Sequence, residues 1–382
     1  MMSKQIQSDV PVTITGRMLP NSRKINHGLK DHAIGLLTNG VGRIMGVARP
    51  NQNIPYPSPD FYQAINNPFP FKGTHFGIMI ADLPAPHYFL SFASILGMLG
   101  LKVVDADAFV DPKDGPLNTA VLVHGTALAN KNAFSSYSIQ HDMQFDPQHN
   151  LIRFGENAEI FGQYPHFRLI SRREDFAVDL KLTATGANSW FAHSAIYQHM
   201  SLLMNYAGEI TYQDQTQKVS GLATWEHWKA PSLAYPLNKT IPKWLKIPAD
   251  FFTYQVLTID ATTQLLLGYV AILDHSVAAF AMLRQADGTA VHLDADVHFE
   301  VLSLQAEAAQ GQDGSLMSLP ETFRWQVIDK HKNLLFDIYA TVDTPMLFGL
   351  ATGYVGGYHW HGSRSGVATQ GRGYIEYIDR RD

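Results

Sequence analysis

From His75 onward the chain is written in short runs that alternate apolar and polar residues. TAVLVHGTA (Thr119 to Ala127), SYSIQHDMQF (Ser136 to Phe145) and DFAVDLKLTATG (Asp175 to Gly186) repeat with the period of two of half-buried strands. GEITYQDQTQKVSGLATWEHW reads as two strands about a polar turn near Asp214. A second block follows the same rule. DFFTYQVLTIDATTQLLLGYVAIL is two runs joined near Asp260, Ala261 and Thr262. AAFAMLRQADGTAVHLDADVHFEVLSL turns at Asp287-Gly288, a strong hairpin signal, and ETFRWQVIDKHKNLLFDIYATVD turns at Lys330 to Asn333. Hairpins in series with few helical patterns predict up-and-down antiparallel sheets that close into barrels and so lose their edges.

Two stretches break the alternation. PNQNIPYPSPDFYQAINNPFPFKG, within the first seventy residues, is dense in proline and polar amides and reads as an extended arm. KAPSLAYPLNKTIPKWLKIPAD carries Pro231, Pro236, Pro242 and Pro248, a spacing that excludes a central strand and predicts a connector. The expected organisation is therefore an arm over residues 1–70, a first barrel over 71–240 and a second over 245–382. The longest apolar run, Tyr88 to Leu101, has fourteen residues, short of the roughly 20 needed to span a bilayer, and reads as buried core. No transmembrane segment is predicted, which leaves only peripheral contact with a membrane surface open.

Composition narrows the chemistry. Of 382 residues 46% are hydrophobic but only 16% are charged, against about 25% in an average protein, which predicts a large apolar interior. A net charge of −5 without a basic run argues against nucleic acid as a partner. The absence of cysteine excludes disulfides, zinc-thiolate sites and cysteine nucleophiles. The start, MMSKQIQSDVPVTITGR, has no apolar signal core, and a cytoplasmic protein is expected. No phosphate loop, dinucleotide fingerprint or HExxH motif is present, so no cofactor is expected.

One stretch stands out. KVSGLATWEHWKAP (Lys218 to Pro231) sets Glu226 and His227 between Trp225 and Trp228. Alternation from Val219 to Trp228 puts Gly221, Ala223, Trp225 and His227 on one face, and Leu222, Thr224, Glu226 and Trp228 on the other. Without a bulge, Glu226 and His227 cannot enter one cavity. Burial of Glu226 among apolar side chains would raise its pKa and let it act as an acid. The alternative is a carboxylate tied to a cation at a strand end, with a purely structural role.

This stretch resembles the pattern glycine–x–alanine–tryptophan–x–Asp–His of the hydroxyneurosporene synthase superfamily, which includes AttH-like proteins and lipocalin-like cyclases. Gly221, Ala223, Glu226 and His227 take the matching places, and GRGYIEYI (Gly371 to Ile378) is similar to the closing strand of that superfamily. Glu stands where the family has Asp, and the tryptophan is displaced by one position. The resemblance covers roughly residues 75 to 382. It implies an all-β fold of two tandem lipocalin-like antiparallel barrels, and a catalytic role for Glu226 with His227.

Other candidates lie outside the motif. His193, Tyr197 and His199 precede it in SWFAHSAIYQHMSLLMNY, where the family carries cavity-facing aromatics. His359 and His361, in HWHG, share one strand face and read as a polar pocket lining or a plain solvated face rather than metal ligands. In HLDADVH the split between His292, Asp294, Asp296 and His298 and the apolar Leu293, Ala295, Val297 and Phe299 reads as a solvated strand face, so no metal is expected. The functional expectation is a bulky hydrophobic ligand, isoprenoid- or lipid-like, in a barrel cavity. Glu226 and His227 would do the chemistry of a hydration, cyclisation or isomerisation. Trp225, Trp228, His193, Tyr197, His359 and His361 would contact the ligand. The alternative expectation is a carrier of a lipid or polyketide that performs no chemistry.

Overall fold

The computed structural model of the protein describes residues 69–272 and 275–381. The predicted arm lies almost wholly outside the described residues. Eleven strands form the first sheet: β1 (Gly73–Ile80), β2 (Leu90–Leu96), β3 (Thr119–Thr126), β4 (Phe134–Ser138), β5 (Met143–Asp146), β6 (Leu151–Phe154), β7 (Ala158–Gln163), β8 (His166–Arg172), β9 (Phe176–His193), β10 (Gln198–Tyr212) and β11 (Gln215–Ala230). The order is β4-β3-β2-β1-β11-β10-β9-β8-β7-β6-β5. Sequential strands pair throughout, β1 pairs with β11, and only β4 and β5 lack a ladder between them. This is a nearly closed up-and-down barrel.

The second sheet repeats the scheme. Its strands are β12 (Ala249–Thr258), β13 (Thr263–Ile272), β14 (His275–Gln285), β15 (Ala290–His292) and β16 (Ala295–Leu304), then, after a small ribbon of β17 (Ala309–Gln310) and β18 (Leu316–Met317), β19 (Pro320–Asp329), β20 (Leu334–Val342), β21 (Leu347–Leu350), β22 (Gly353–Arg364) and β23 (Val367–Asp379). The order is β15-β14-β13-β12-β23-β22-β20-β19-β16, with β21 on β22. Again the first and last strands pair, and the gap falls within the series. The fold is all-β, two lipocalin-like antiparallel barrels in tandem.

Local chemistry sets the turns. Gln213 and Asp214 both have positive φ, the backbone of a two-residue hairpin loop, and join β10 to β11. Two expectations need correction. Ser136 to Phe145 is not one strand: the Asp142 carboxylate accepts the Ser138 N–H at 2.7 Å and fixes a turn that separates β4 from β5. The Asp287-Gly288 hairpin forms, but only Met282, Leu283 and Arg284 pair across it, and β16 then leaves to pair with β19.

Burial divides the strands into two kinds. In β8, Phe167, Leu169 and Ser171 are buried while His166 and Arg172 are exposed, the pattern of a strand with one wet face. β1, β2 and β3 are buried at every position, as is β11 from Leu222 to Ala230. Their inner faces fill the first barrel, where Phe76, Ile78, Phe92, Leu169, Met204 and Trp225 belong to one apolar cluster. Their outer faces meet the second barrel. There Arg284, fully buried, donates to Ser201 at 2.7 Å, to Thr224 at 2.8 Å and to Gln264. Arg284→Met would remove all three of these bonds from the buried seam and leave Thr224 and Gln264 only the 2.9 Å bond they make to each other. We expect a loss of roughly 2–4 kcal/mol in urea unfolding. A loss below about 1 kcal/mol would mean that the seam does not depend on this cation.

Candidate functional site

Because this half of β11 is buried on both faces, its alternation sends successive side chains into different environments. Trp225 and His227 point into the first barrel. Trp225 stacks on Phe167 with centroids 4.2 Å apart, and His227 stacks on Phe76 at 4.3 Å. His227 Nδ1 lies 2.8 Å from the His75 carbonyl, so this nitrogen carries hydrogen and donates to backbone. Glu226 points the other way, into the seam between the barrels, with only 3% of its surface exposed. The predicted catalytic pair is therefore divided by the strand itself, and the structure does not bring Glu226 and His227 to one site.

The seam supplies Glu226 with other partners. His199, on β10, places Nε2 3.4 Å from Glu226 Oε2, and its Nδ1 shares a hydrogen bond with the Tyr197 hydroxyl at 3.0 Å. Tyr254, from β12 of the second barrel, donates its hydroxyl to Glu226 Oε1. Phe191 walls the cluster, with its ring 4.5 Å from His199, 5.7 Å from Tyr254 and 4.9 Å from Phe280. On the flank His75 stacks on Trp228 at 5.6 Å, and Gly77 faces Glu226 across the β1–β11 ladder.

Electrostatics reverses one expectation. Burial by itself would raise the Glu226 carboxyl. The His199 hydrogen bond and charge, the Tyr254 hydroxyl and His75 together outweigh it and hold the carboxyl below its ordinary value. Glu226 thus rests ionised at neutral pH, not protonated as the sequence suggested. Burial lowers His75 to about 4, against the pull of Glu226, so its imidazole is neutral.

A second carboxyl occupies the same seam and was not singled out in the sequence. Glu376, on β23, is 4% exposed and accepts a hydrogen bond from Tyr374 at 3.1 Å. Tyr374 in turn meets the Ser91 hydroxyl of the first barrel at 3.0 Å. Glu376 stands directly opposite Tyr254 in the β12–β23 ladder. Burial pushes it well above the usual carboxylate range, and the Glu226 charge adds to that shift. Its sequence signal is an acid between Tyr374 and Tyr377 in an apolar strand, the same kind of signal that marked Glu226.

The remaining predicted residues scatter. Tyr197 belongs to the cluster through His199, and Trp228 borders it through His75. His193 is exposed at the end of β9, with its ring edge-on to Trp190 at 4.6 Å. His359 and His361 are exposed on β22; the first lies 3.4 Å from Asp343 and the second stacks on Tyr339. None of these three joins Glu226. Asp294 and Asp296 lie in solvent opposite Lys330 and Lys332. A surface depression lined by Asn132, Phe134, Gln312, Met346 and Phe348 shares no residue with the cluster.

Comparison with known proteins agrees with this architecture. An AttH-like protein from Nitrosomonas europaea has a similar structure, with a TM-score of 0.55 and 13% identity, over 87% of this chain and 99% of that one. Kievitone hydratase from Nectria haematococca is similar with a TM-score of 0.50 and 12% identity, over 83% of this chain and 94% of the other. At these identities the likeness concerns the fold, and it matches the tandem-barrel resemblance of the sequence. No curated protein sequence matches the chain. One family model covers most of its length, residues 93–382, and the chain belongs to that family, DUF6670, a family of unknown function.

Proposed function

We propose that the protein binds a bulky apolar small molecule at the seam between its barrels and converts it by cofactor-free proton transfer, with Glu226 as the proton-handling carboxyl. The observation that carries this reading is the setting of Glu226. A buried carboxylate held by an imidazole and a phenol, and walled by Phe191 and Phe280, pairs proton chemistry with apolar surroundings. Perturbed groups of this kind concentrate where proteins do chemistry. His199, less buried than Glu226, links the carboxylate to Tyr197 and gives protons a way in and out. Hydration, cyclisation and isomerisation of an unsaturated substrate all need such a group. The name of one structural relative, a hydratase, fits this class.

A second reading, a carrier with its ligand inside the first barrel, is favoured by one observation. The Trp225 indole N–H and the Tyr206 hydroxyl, both in that apolar cluster, have no hydrogen-bond partner among the described residues. One measurement separates the readings. The apolar extract of the purified protein, identified by mass spectrometry, is incubated with wild type and with Glu226→Gln. The seam reading expects a new product from wild type alone. An extract unchanged by both proteins supports the carrier.

A further inference from the structure

We propose that Glu376 is the proton donor of the seam, working opposite Glu226 as the second half of a divided carboxyl pair. The inference rests on the reading above for its catalytic meaning, but its geometry stands apart from it. The two carboxyls come from different barrels, Glu226 from the last strand of the first and Glu376 from the last strand of the second. Tyr254 connects them, since its hydroxyl binds Glu226 and its backbone is the ladder partner of Glu376.

On its own strand Glu376 accepts from Tyr374. From β12 come Tyr254 and Thr253, whose hydroxyl donates to the Glu376 main-chain carbonyl. On β22 its ladder partner is the apolar Val355. From the first barrel, Ser91 reaches Tyr374, and Glu226 contributes a negative charge. No hydrogen bond or ion pair to a cation holds the Glu376 carboxyl among the described residues. Two carboxylates in one buried seam repel, and the imidazole of His199 lies beside Glu226. The ionised state therefore settles on Glu226 and the proton on Glu376. Pairs whose environments drive their protonation apart divide into an acid and a base.

For addition of water to a carbon–carbon double bond the balance is simple. The Glu376 carboxyl gives its proton to one alkene carbon as the π bond breaks. Water forms a C–O bond to the other carbon and releases a proton to the Glu226 carboxylate. The net change is alkene plus water to alcohol, and the proton count of the pair is unchanged. Tyr254, hydrogen-bonded to Glu226 and the ladder partner of Glu376, lies on the route by which the proton would return from Glu226 to Glu376.

The test needs no substrate. Infrared difference spectra of the full-length protein report the C=O stretch of a protonated carboxylic acid, separate from carboxylate bands. We expect such a band at neutral pH in wild type, lost in Glu376→Gln and kept in Glu226→Gln. In Glu226→Gln the band should also titrate at lower pH, because the charge that repels the Glu376 carboxylate is gone. Linkage gives an independent readout. A carboxyl whose folded pKa lies above its ordinary 4.5 makes stability fall as pH rises through the folded value. Glu376→Gln should remove that decline and melt higher than wild type at alkaline pH. A missing band, a band that survives Glu376→Gln, or one indifferent to Glu226→Gln overturns the pair. Should all three spectra come out as expected while Glu226→Gln and Glu376→Gln still convert the copurified molecule, the catalytic reading fails and the neutral acid stands.

Discussion

Glu226→Gln is expected to abolish most conversion of the cognate molecule, by roughly 10²–10⁴-fold, the usual worth of a positioned acid or base. The amide keeps the shape of the side chain, and its oxygen still accepts from Tyr254. It cannot take a proton from the reacting molecule. Affinity should hold within a few-fold, because the apolar walls around Phe191 and Phe280 supply the binding and remain in place. Single-turnover kinetics with the copurified molecule, set beside its dissociation constant, separate the two effects. A variant that loses affinity and rate in equal proportion would mark Glu226 as a binding group. One that loses neither would leave it a structural member of the seam.

The fold was legible because its signals are local. Alternation and turn residues such as Asp214 and Asp260 lie within a few positions of the strands they define. The division of Glu226 from His227 could likewise be read from the period of two. What escaped was the identity of each face. Inside an isolated barrel the outer face of β11 would be wet, and Thr224 and Glu226 would be ordinary surface residues. The second barrel makes that face an interior, through Tyr254, Gln264 and Arg284. Those contacts join residues far apart in the chain, and no pattern within a strand announces them. The charge state of Glu226 depended on the same contacts, so burial alone gave the wrong direction. His359 and His361 show the converse. Two imidazoles on one strand face look like a site until the face proves to be solvent.

Both barrels close by pairing their first and last strands, β1 with β11 and β12 with β23. The closing ladder of the second barrel meets the first barrel across the seam, where β11 carries Glu226 to Tyr254 of β12 and β2, the neighbour of β1, carries Ser91 to Tyr374 of β23. A site built this way would exist only when both barrels are folded and docked. Each barrel contributes one carboxyl, and neither holds the pair alone.

The two tryptophans of the motif should then part company under mutation. Trp225→Ala removes a side chain buried to 97% of its surface and stacked on Phe167, at an expected cost of about 3–5 kcal/mol in unfolding free energy. Since Trp225 lies on the inner face of β11, the protein that remains folded should keep its ligand and its turnover. Trp228→Ala acts on the seam face instead. It removes the ring on which His75 stacks, leaves that imidazole held only by its bond to the Ser94 carbonyl, and should weaken the ligand and shift the pH profile of turnover. Urea unfolding and ligand dissociation, measured on both variants, give four numbers for one question. If Trp225→Ala releases the ligand at little cost in stability while Trp228→Ala retains it, the molecule sits in the first barrel, with the unpartnered indole N–H as its anchor.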